Sequence, residues 1–424
     1  MARKFLTAAA TFCACLCSSL TGLAAAAPQP VNAAIEWNRV LLQILRTPGA
    51  QPPTIHSTRS FAILHIAIFD AVNNIDKLYQ PYATRLIEVS PRAYSNVAAS
   101  QAAHDVLVAL YPNFKPMLDA QLQADLLLSH DGTSKNNGIN VGADVAAATL
   151  ALRSKDGSEV TLPPFVPRPG AGNYQLTPPN FAPADFIQWA KVKPFAITQA
   201  RQFRPAPPPA LTSAAYTDSF NEVASLGIAG SDTRTADQTL IGQFWNGNIQ
   251  DFWNEIAQNA AIKHQLNLPR TAYFFALLNI SLADTTIAFF DAKYAFDRWR
   301  PVTAIQMADL DRNPNTEVNP AWLPLSTKTA PDPSYPGAHS AISAAAAEVI
   351  NIYFGDHDAF TVTSESLPGV TRRFTSYSAA AEEAGLSRIY AGQHFHYDHD
   401  AGKLLGQQVA AQAVFNVLFP GFHP

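Results

Sequence analysis

Apolar side chains recur every three or four residues along most of this 424-residue chain, which is the spacing of one face of an α-helix. Alanine, the residue with the highest helix propensity, is frequent in the same segments. Strand-like alternation of apolar and polar residues is scarce. The helical spacing is clearest in residues 35–45, 61–75, 93–110, 114–128, 140–152, 236–256, 271–296, 339–354 and 394–418. The pattern predicts an all-α fold, a helical bundle.

One long segment interrupts the helical pattern. Between Thr161 and Pro209 lie 12 of the 32 prolines, so no long helix can run through it. The segment is either a flexible linker between two domains or an ordered loop. Because it also contains seven of the large aromatic side chains, a loop packed over the helical body is favoured. We therefore predict a single helical domain, residues 28–424, with an ordered proline-rich loop at 161–210.

The first 27 residues have the features of a signal peptide. Arg3 and Lys4 precede an apolar run, and small residues end it before Pro28. The sequence thus predicts export, to the periplasm or the medium. All three cysteines, Cys13, Cys15 and Cys17, lie in this leader. The mature chain would contain no thiol, which excludes disulfide scaffolds, zinc–thiolate sites and cysteine nucleophiles.

Net charge and hydropathy limit the kinds of partner that the protein is expected to bind. The chain has 29 basic and 33 acidic residues, and loss of Arg3 and Lys4 with the leader would give a net charge of about −6. A mildly acidic chain without clusters of Lys and Arg predicts no nucleic-acid partner. No segment after the leader reads as a convincing membrane span, so no stable membrane insertion is predicted. These features do not predict the oligomeric state.

Three short segments in the C-terminal third collect cationic and imidazole side chains. In the first, Lys293 and Arg300 are seven residues apart, which predicts that they share one helical face, two turns apart. Two cations on one face repel each other unless an anion lies between them. The alternative, a solvated surface stripe, fits less well with the four aromatic residues around them.

The second segment delivers His339 to the start of an alanine-rich helix, where free backbone N–H groups attract anions. A lone histidine at such a place is more often structural than catalytic. The third segment contains Arg388, His394 and Asp398. If a helix begins near His394, Asp398 lies one turn away and can bind one imidazole nitrogen, which leaves the other nitrogen free as a nucleophile or ligand.

Three cations and two histidines together suit a tetrahedral oxyanion. Lys and Arg donors neutralise the equatorial oxygens, one histidine attacks or coordinates in line, and the other exchanges a proton. Phosphate and its analogue vanadate both meet this description.

At this point the sequence resembles a known superfamily, the type 2 phosphatidic acid phosphatases and vanadium-dependent haloperoxidases. The matching residues are K-x6-R-P at 293–301, P-x-x-H at 336–339 and S-R-x5-H-x3-D at 387–398. Residues 56–74, 203–209 and 231–238 further resemble exported bacterial haloperoxidase-like members. The resemblance implies a helical bundle of the haloperoxidase and acid phosphatase type, with the catalytic core in residues 285–424.

The resemblance also implies roles for individual residues. Lys293, Arg300 and Arg388 would bind the equatorial oxygens of vanadate or phosphate. His394 would be the axial vanadium ligand, or the phosphorylated nucleophile of a phosphatase. His339 would be the acid/base residue, and Asp398 would hold His394.

The chain departs from the superfamily pattern at two places. Where members commonly have Ser and Gly before the acid/base histidine, this chain has Gly337 and Ala338, so a hydroxyl donor to the oxyanion is missing. A backbone N–H of Gly337 or Ala338 is expected to donate instead. The position seven residues before that histidine, aromatic or histidine in the family, holds Asp332, which a halide anion should not favour.

The leading functional hypothesis is a vanadate-dependent haloperoxidase-like enzyme that oxidises halide with hydrogen peroxide. The first alternative is an acid phosphatase that cleaves phosphate esters through a phospho-histidine intermediate in the same pocket. The second is a non-catalytic protein that binds an oxyanion or a partner. The motifs alone do not separate the two enzymes, because both activities need the same cationic pocket.

Overall fold

A computed structural model describes residues 31–420, and the predicted leader, residues 1–27, lies outside them. The all-α prediction is confirmed: helices dominate, and the described strands are one short antiparallel pair, β1 (Phe360–Thr363) and β2 (Thr371–Phe374). The helices of the described residues are α1 (Ala33–Leu45), α2 (Ser57–Asp76), α3 (Ser95–Leu110), α4 (Lys115–Leu127), α5 (Thr133–Arg153), α6 (Ala214–Leu226), α7 (Ala236–Phe244), α8 (Ile249–Lys263), α9 (Leu268–Phe296), α10 (Pro301–Gln306), α11 (Ala338–Phe354), α12 (Tyr377–Tyr390) and α13 (His396–Asn416).

Helix α9 is the central element of the bundle. It begins at Asn267, whose side chain accepts a hydrogen bond from the N–H of Arg270, and it packs against α2, α11 and α13. By length and composition α9 could cross a membrane, but 94% of its most apolar window is buried inside the protein. Such burial is expected of a core helix that is apolar on all sides.

Glycines on α13 let it cross α11 closely. A Cβ atom at Gly402 would lie 2.4 Å from the carbonyl oxygen of Gly337, and one at Gly406 would lie 2.0 Å from that of Ala341. Any larger residue would push the two helices apart. The close crossing places the first turn of α11 beside the first turn of α13, so that the N–H of Gly337 donates to the carbonyl of Asp398 at 2.8 Å.

The proline-rich segment between α5 and α6 forms an ordered loop on the helical body, as the aromatic content predicts. Tyr174, Trp189 and Phe195 are buried. The N–H of Tyr174 donates to the carbonyl of Asp297 at the end of α9. Short 3₁₀ turns at Trp189–Lys191 and Ala200–Phe203 are the regular structure within it.

A buried carboxylate on α9 anchors this loop. Asp284 accepts hydrogen bonds from the backbone N–H groups of Phe195, Ala196 and Ile197 at 2.6 to 2.8 Å. Its burial raises the pKa of the carboxyl to about 6 despite these three bonds. The side chain therefore fastens the loop to the core helix.

Replacing Asp284 with alanine is expected to lower the free energy of unfolding by about 3 kcal/mol or more, because two buried and one partly buried N–H group lose their acceptor. Urea denaturation followed by circular dichroism measures this. Asp291→Ala is the matched control on the same helix, since it removes a solvent-accessible ion pair with Arg204 that contributes at most about 1 kcal/mol. Equal losses in the two variants would contradict the anchoring role.

The structure differs from the sequence prediction in several elements. The segment 236–256, predicted as one helix, is broken into α7 and α8 by a turn at residues 245–248. Helix α5 begins seven residues before the predicted start at Asn140. Helices α6, α10 and α12 and the β-pair were not predicted. The turn that breaks the predicted helix faces the site described next.

Candidate active site

The three predicted segments meet where α9 ends and where α11 and α13 begin. Lys293 lies in the last turn of α9 and Arg300 is the N-cap residue of α10. The prediction that both lie on one helical face is wrong, because α9 ends at Phe296 and Asp297 turns the chain with a φ of 53°. The turn nevertheless brings both cations to one carboxylate, that of Asp332.

Lys293 and Arg300 are buried and already hydrogen-bonded within the protein. The Nζ of Lys293 donates to Asp332 Oδ1 at 3.2 Å and to the carbonyls of Pro333 and Ser334. The Nη2 of Arg300 donates to the same Oδ1, and its Nε donates to the Asp332 carbonyl at 2.8 Å. Burial alone would raise the pKa of Asp332, but the two cations hold it below its usual value. Asp332 is therefore an ionised partner of both cations.

His394 is held between a carboxylate and a guanidinium. Its Nδ1 lies 3.0 Å from Asp398 Oδ2, and its Nε2 lies 3.1 Å from Arg300 Nη1. Because arginine can only donate, Nε2 carries the lone pair and Nδ1 carries the proton that Asp398 accepts. The imidazole is thus fixed in the tautomer whose Nε2 can act as a ligand or a nucleophile.

The contact between His394 and Asp398 arises differently from the predicted one. Helix α13 begins at His396, two residues after His394, so the pair is not a turn of helix. Asp398 instead lies in the first turn and folds back, where its Oδ2 also accepts from the N–H of Phe395 at 3.0 Å. Ser334 supplies a further hydrogen bond from its hydroxyl to the same oxygen.

His339 and Arg388 are both hydrogen-bonded to the turn between α7 and α8. The Nε2–H of His339 donates to the carbonyl of Trp245 at 3.0 Å. Arg388, in the last turn of α12, donates from Nη1 to the Asn246 side-chain oxygen at 3.1 Å. The break in the predicted helix thus supplies acceptors that position two of the site residues.

Burial and mutual charge shift the pKa values of the site. Burial, and then the charges of Arg300, Lys293 and Arg388, lower the pKa of His394 well below its usual value. Burial and the nearby Arg388 lower that of His339 in the same way. Burial also lowers the pKa of Lys293 to about 8. Both imidazoles are therefore neutral at pH 7, and the charges of Arg300, Lys293 and Arg388 all act on His394.

The expectation that a backbone N–H of Gly337 or Ala338 donates to the oxyanion is narrowed by the structure at the start of α11. The N–H of Gly337 donates to the Asp398 carbonyl, so it is engaged and does not replace the missing hydroxyl donor. Ala338 is the first residue of α11, and its N–H belongs to the first turn, whose N–H groups have no acceptor within the helix. Ser340 Oγ pairs with His399 Nδ1 and is not available either. Of the two residues, only Ala338 can offer an N–H to an oxyanion in this arrangement.

Sequence reasoning missed three residues of the site. Ser334 lies two residues before the second motif, and nothing in its spacing indicates a contact with Asp398. Asn246 lies 142 positions before Arg388. Asp332 was noted only for its effect on a halide, and its direct contact with the two cations was not foreseen. Each contact depends on tertiary packing, which no local pattern reports.

The donor set fits a tetrahedral oxyanion. Two guanidinium groups and one ammonium provide positive charge, and His394 Nε2 provides a lone pair beside one of the guanidinium groups. A buried site with more cations than accessible counter-charges favours an anion over a metal cation. Vanadate or phosphate could be held by Lys293, Arg300, Arg388 and the first-turn N–H groups of α11, with His394 as the in-line ligand.

Comparison with known proteins gives an independent line of evidence. A family model described as the VCPO second helical-bundle domain matches residues 273–419, a range that includes all eight predicted site residues. The chain is 24% identical to the vanadium chloroperoxidase of Curvularia inaequalis, over an alignment that covers 88% of this chain and 80% of that protein.

Solved structures share the fold. The crystal structure of the first bacterial vanadium-dependent iodoperoxidase superposes with a TM-score of 0.78 at 24% identity, covering 92% of this chain and 97% of that chain. A holo-type bacterial vanadium-dependent chloroperoxidase superposes with a TM-score of 0.70 at 17% identity, covering 90% and 96%. The likeness covers 90% or more of this chain in both comparisons.

Proposed function

We propose that this chain, a vanadium haloperoxidase-like enzyme, binds vanadate at His394 and oxidises halide with hydrogen peroxide. One observation carries the proposal: Asp398 fixes the tautomer of His394 so that the lone pair of Nε2 faces the Arg300 guanidinium. The charges of Lys293 and Arg388 also act on this imidazole, and we refer to Lys293, Arg300 and Arg388 as the cationic cage. The similarity to haloperoxidases of known activity supports the choice of reaction.

Each residue has a role that follows from its contacts. Lys293, Arg300 and Arg388 neutralise the oxygens of the anion, and His394 is its protein ligand. His339 is neutral and held by its Nε2–H, so its other ring nitrogen can take up a proton from the reacting peroxide. Bound vanadate supplies Lewis-acid activation of hydrogen peroxide.

Phosphate ester hydrolysis is the alternative that the same cage supports. There His394 Nε2 would attack phosphorus as the ester oxygen leaves. His339 would first take up a second proton at its other ring nitrogen and would then donate that proton to the leaving oxygen. The two reactions require the same cations and the same histidine tautomer, so the distinction must come from an assay.

Two assays on the purified protein separate the reactions. In the first, orthovanadate, hydrogen peroxide and bromide or iodide are supplied, and halogenation of an indicator dye is followed. In the second, vanadate is omitted and a chromogenic phosphate ester is supplied. We expect halogenation that depends on vanadate. Ester cleavage without halogenation would overturn the proposal in favour of a phosphatase, and neither activity would leave an oxyanion-binding protein.

Export of the enzyme is part of the proposal. The sequence of residues 1–27 is the support for it, and the absence of cysteine from the rest of the chain suits an enzyme that forms oxidising products. Fractionation of the producing cells, with N-terminal sequencing of the protein in each fraction, tests it. Protein that remains in the cytoplasm with its first 27 residues attached would contradict export.

A further inference from the structure

The carboxylate of Asp332 occupies the cations that an oxyanion needs. Lys293 has three N–H bonds, and its Nζ has three acceptors, namely Asp332 Oδ1 and the carbonyls of Pro333 and Ser334. Its hydrogen-bonding capacity is therefore used within the protein. An oxyanion can bind to Lys293 only by displacing one of these acceptors.

Arg300 is engaged almost as fully. Its Nε donates to the Asp332 carbonyl, its Nη1 donates to the Gln393 carbonyl and to His394 Nε2, and its Nη2 donates to Asp332 Oδ1. Four of the five N–H bonds of a guanidinium are thus accounted for. Arg388 differs, because Asn246 is its hydrogen-bond acceptor among the described residues and most of its N–H groups remain available.

The segment that carries Asp332 is held firmly in place. Pro331 and Pro333 flank the residue and restrict its backbone. The N–H of Asp185, on the proline-rich loop, donates to the Pro331 carbonyl at 3.0 Å. Together with the bond from Arg300 Nε to the Asp332 carbonyl, these restraints keep the carboxylate against the cage.

We propose that Asp332 is a built-in competitor of the oxyanion: its carboxylate binds Lys293 and Arg300 where an anion would bind them, and it lowers the affinity of the site for vanadate and phosphate. This inference rests on the proposed function, since it concerns the same cage. The opposing interpretation makes Asp332 a positioning residue that orients the two cations for the anion. The two interpretations predict effects of opposite sign on binding when the charge of Asp332 is removed.

Isothermal titration with inorganic phosphate, and separately with orthovanadate, measures the effect on the full-length mature protein. We expect Asp332→Asn to bind both anions about tenfold or more tightly than the native protein, because a charged acceptor no longer competes for Lys293 and Arg300. Asp332→Glu retains the charge and should bind like the native protein. Asp291→Asn removes a carboxylate two residues before Lys293 that pairs with Arg204, outside the cage, and should also leave the affinity unchanged.

Unchanged or weaker binding by Asp332→Asn would overturn the inference. A crystal structure of the native protein with vanadate gives a second test that needs no variant. The inference requires the contact of Asp332 Oδ1 with at least one cation to be broken in that complex. An oxyanion bound while both contacts persist would rule it out.

The titrations also separate this inference from the proposed function. Arg388→Ala removes the cation that Asp332 does not touch, so it should abolish binding if the cage holds the anion at all. If the native protein binds vanadate and Arg388→Ala does not, the proposed site stands, whatever Asp332→Asn shows. If neither the native protein nor Asp332→Asn binds either anion, both the inference and the proposed function fail.

Discussion

Replacing His394 with alanine is expected to lower vanadate-dependent halide oxidation by at least about a hundredfold and to leave the fold intact. The variant loses the ring nitrogen whose lone pair faces the Arg300 guanidinium. The fold should survive because the Asp398 carboxylate keeps two hydrogen-bond donors, the Ser334 hydroxyl and the Phe395 N–H. The halogenation rate at saturating vanadate, together with the thermal unfolding midpoint, measures both effects.

His396→Ala is the matched control for this prediction. His396 lies two residues away, but its ring pairs with Glu222 at 2.9 Å and is partly exposed. Its loss should leave the halogenation rate within about twofold of the native rate, since surface ion pairs contribute little. Full activity in His394→Ala, or equal losses in the two variants, would mean that the anion binds elsewhere.

The sequence was a good guide to the fold because the helices of this protein are amphipathic or wholly buried. Periodicity located the long helices α2, α3, α9 and α11 closely. It failed at the turn between α7 and α8, where the apolar spacing continues through residues 245–248. The turn carries a local signal of its own, Asn246-Gly247-Asn248, which apolar spacing does not register. The bond from His339 to the Trp245 carbonyl adds a tertiary contact to it.

The site was predictable as a set of residue types but not as a geometry. Lys293 and Arg300 were paired for the wrong reason, since the helix ends between them at Asp297 in a left-handed conformation that no glycine signals. The contact between His394 and Asp398 was anticipated, yet it depends on a fold-back at the start of α13. The partners of the cage are separated from it by tens of residues in sequence and become visible only in three dimensions.

The charge balance of the cage explains why these distant partners matter. Lys293, Arg300 and Arg388 would repel one another in a buried site without counter-charges. The Asp332 carboxylate balances the charges of Lys293 and Arg300 by direct contact. Arg388 instead donates to the neutral side-chain amide of Asn246. The protein can therefore fold without a bound anion, because its own carboxylate stabilises the two most buried cations.

Because Arg300 shares the Asp332 carboxylate with Lys293, it is the cage residue whose loss should destabilise the protein most. Arg300 is 1% exposed and contacts Asp332, Gln393 and His394. Arg300→Ala leaves the buried Asp332 carboxylate with Lys293 as its remaining cation, so we expect the free energy of unfolding to fall by about 3–5 kcal/mol. The variant should also lose vanadate binding, because one of the three cations that neutralise the oxygens of the anion is gone. Urea denaturation and titration with orthovanadate measure the two effects.

A double variant identifies the cause of that loss. Arg300→Ala leaves Lys293 and Asp332 as a one-to-one ion pair. Adding Asp332→Asn should therefore cost further stability, because the buried ammonium of Lys293 then lacks a counter-charge, and vanadate binding should stay lost. Arg204→Ala is the control for the loss of an arginine from an ion pair at the protein surface. It breaks the pair with Asp291 and should lower the free energy of unfolding by at most about 1 kcal/mol. A double variant that is as stable as Arg300→Ala, or more stable, would contradict the pairing of Lys293 with Asp332 and would assign the cost of Arg300→Ala to an uncompensated Asp332 carboxylate.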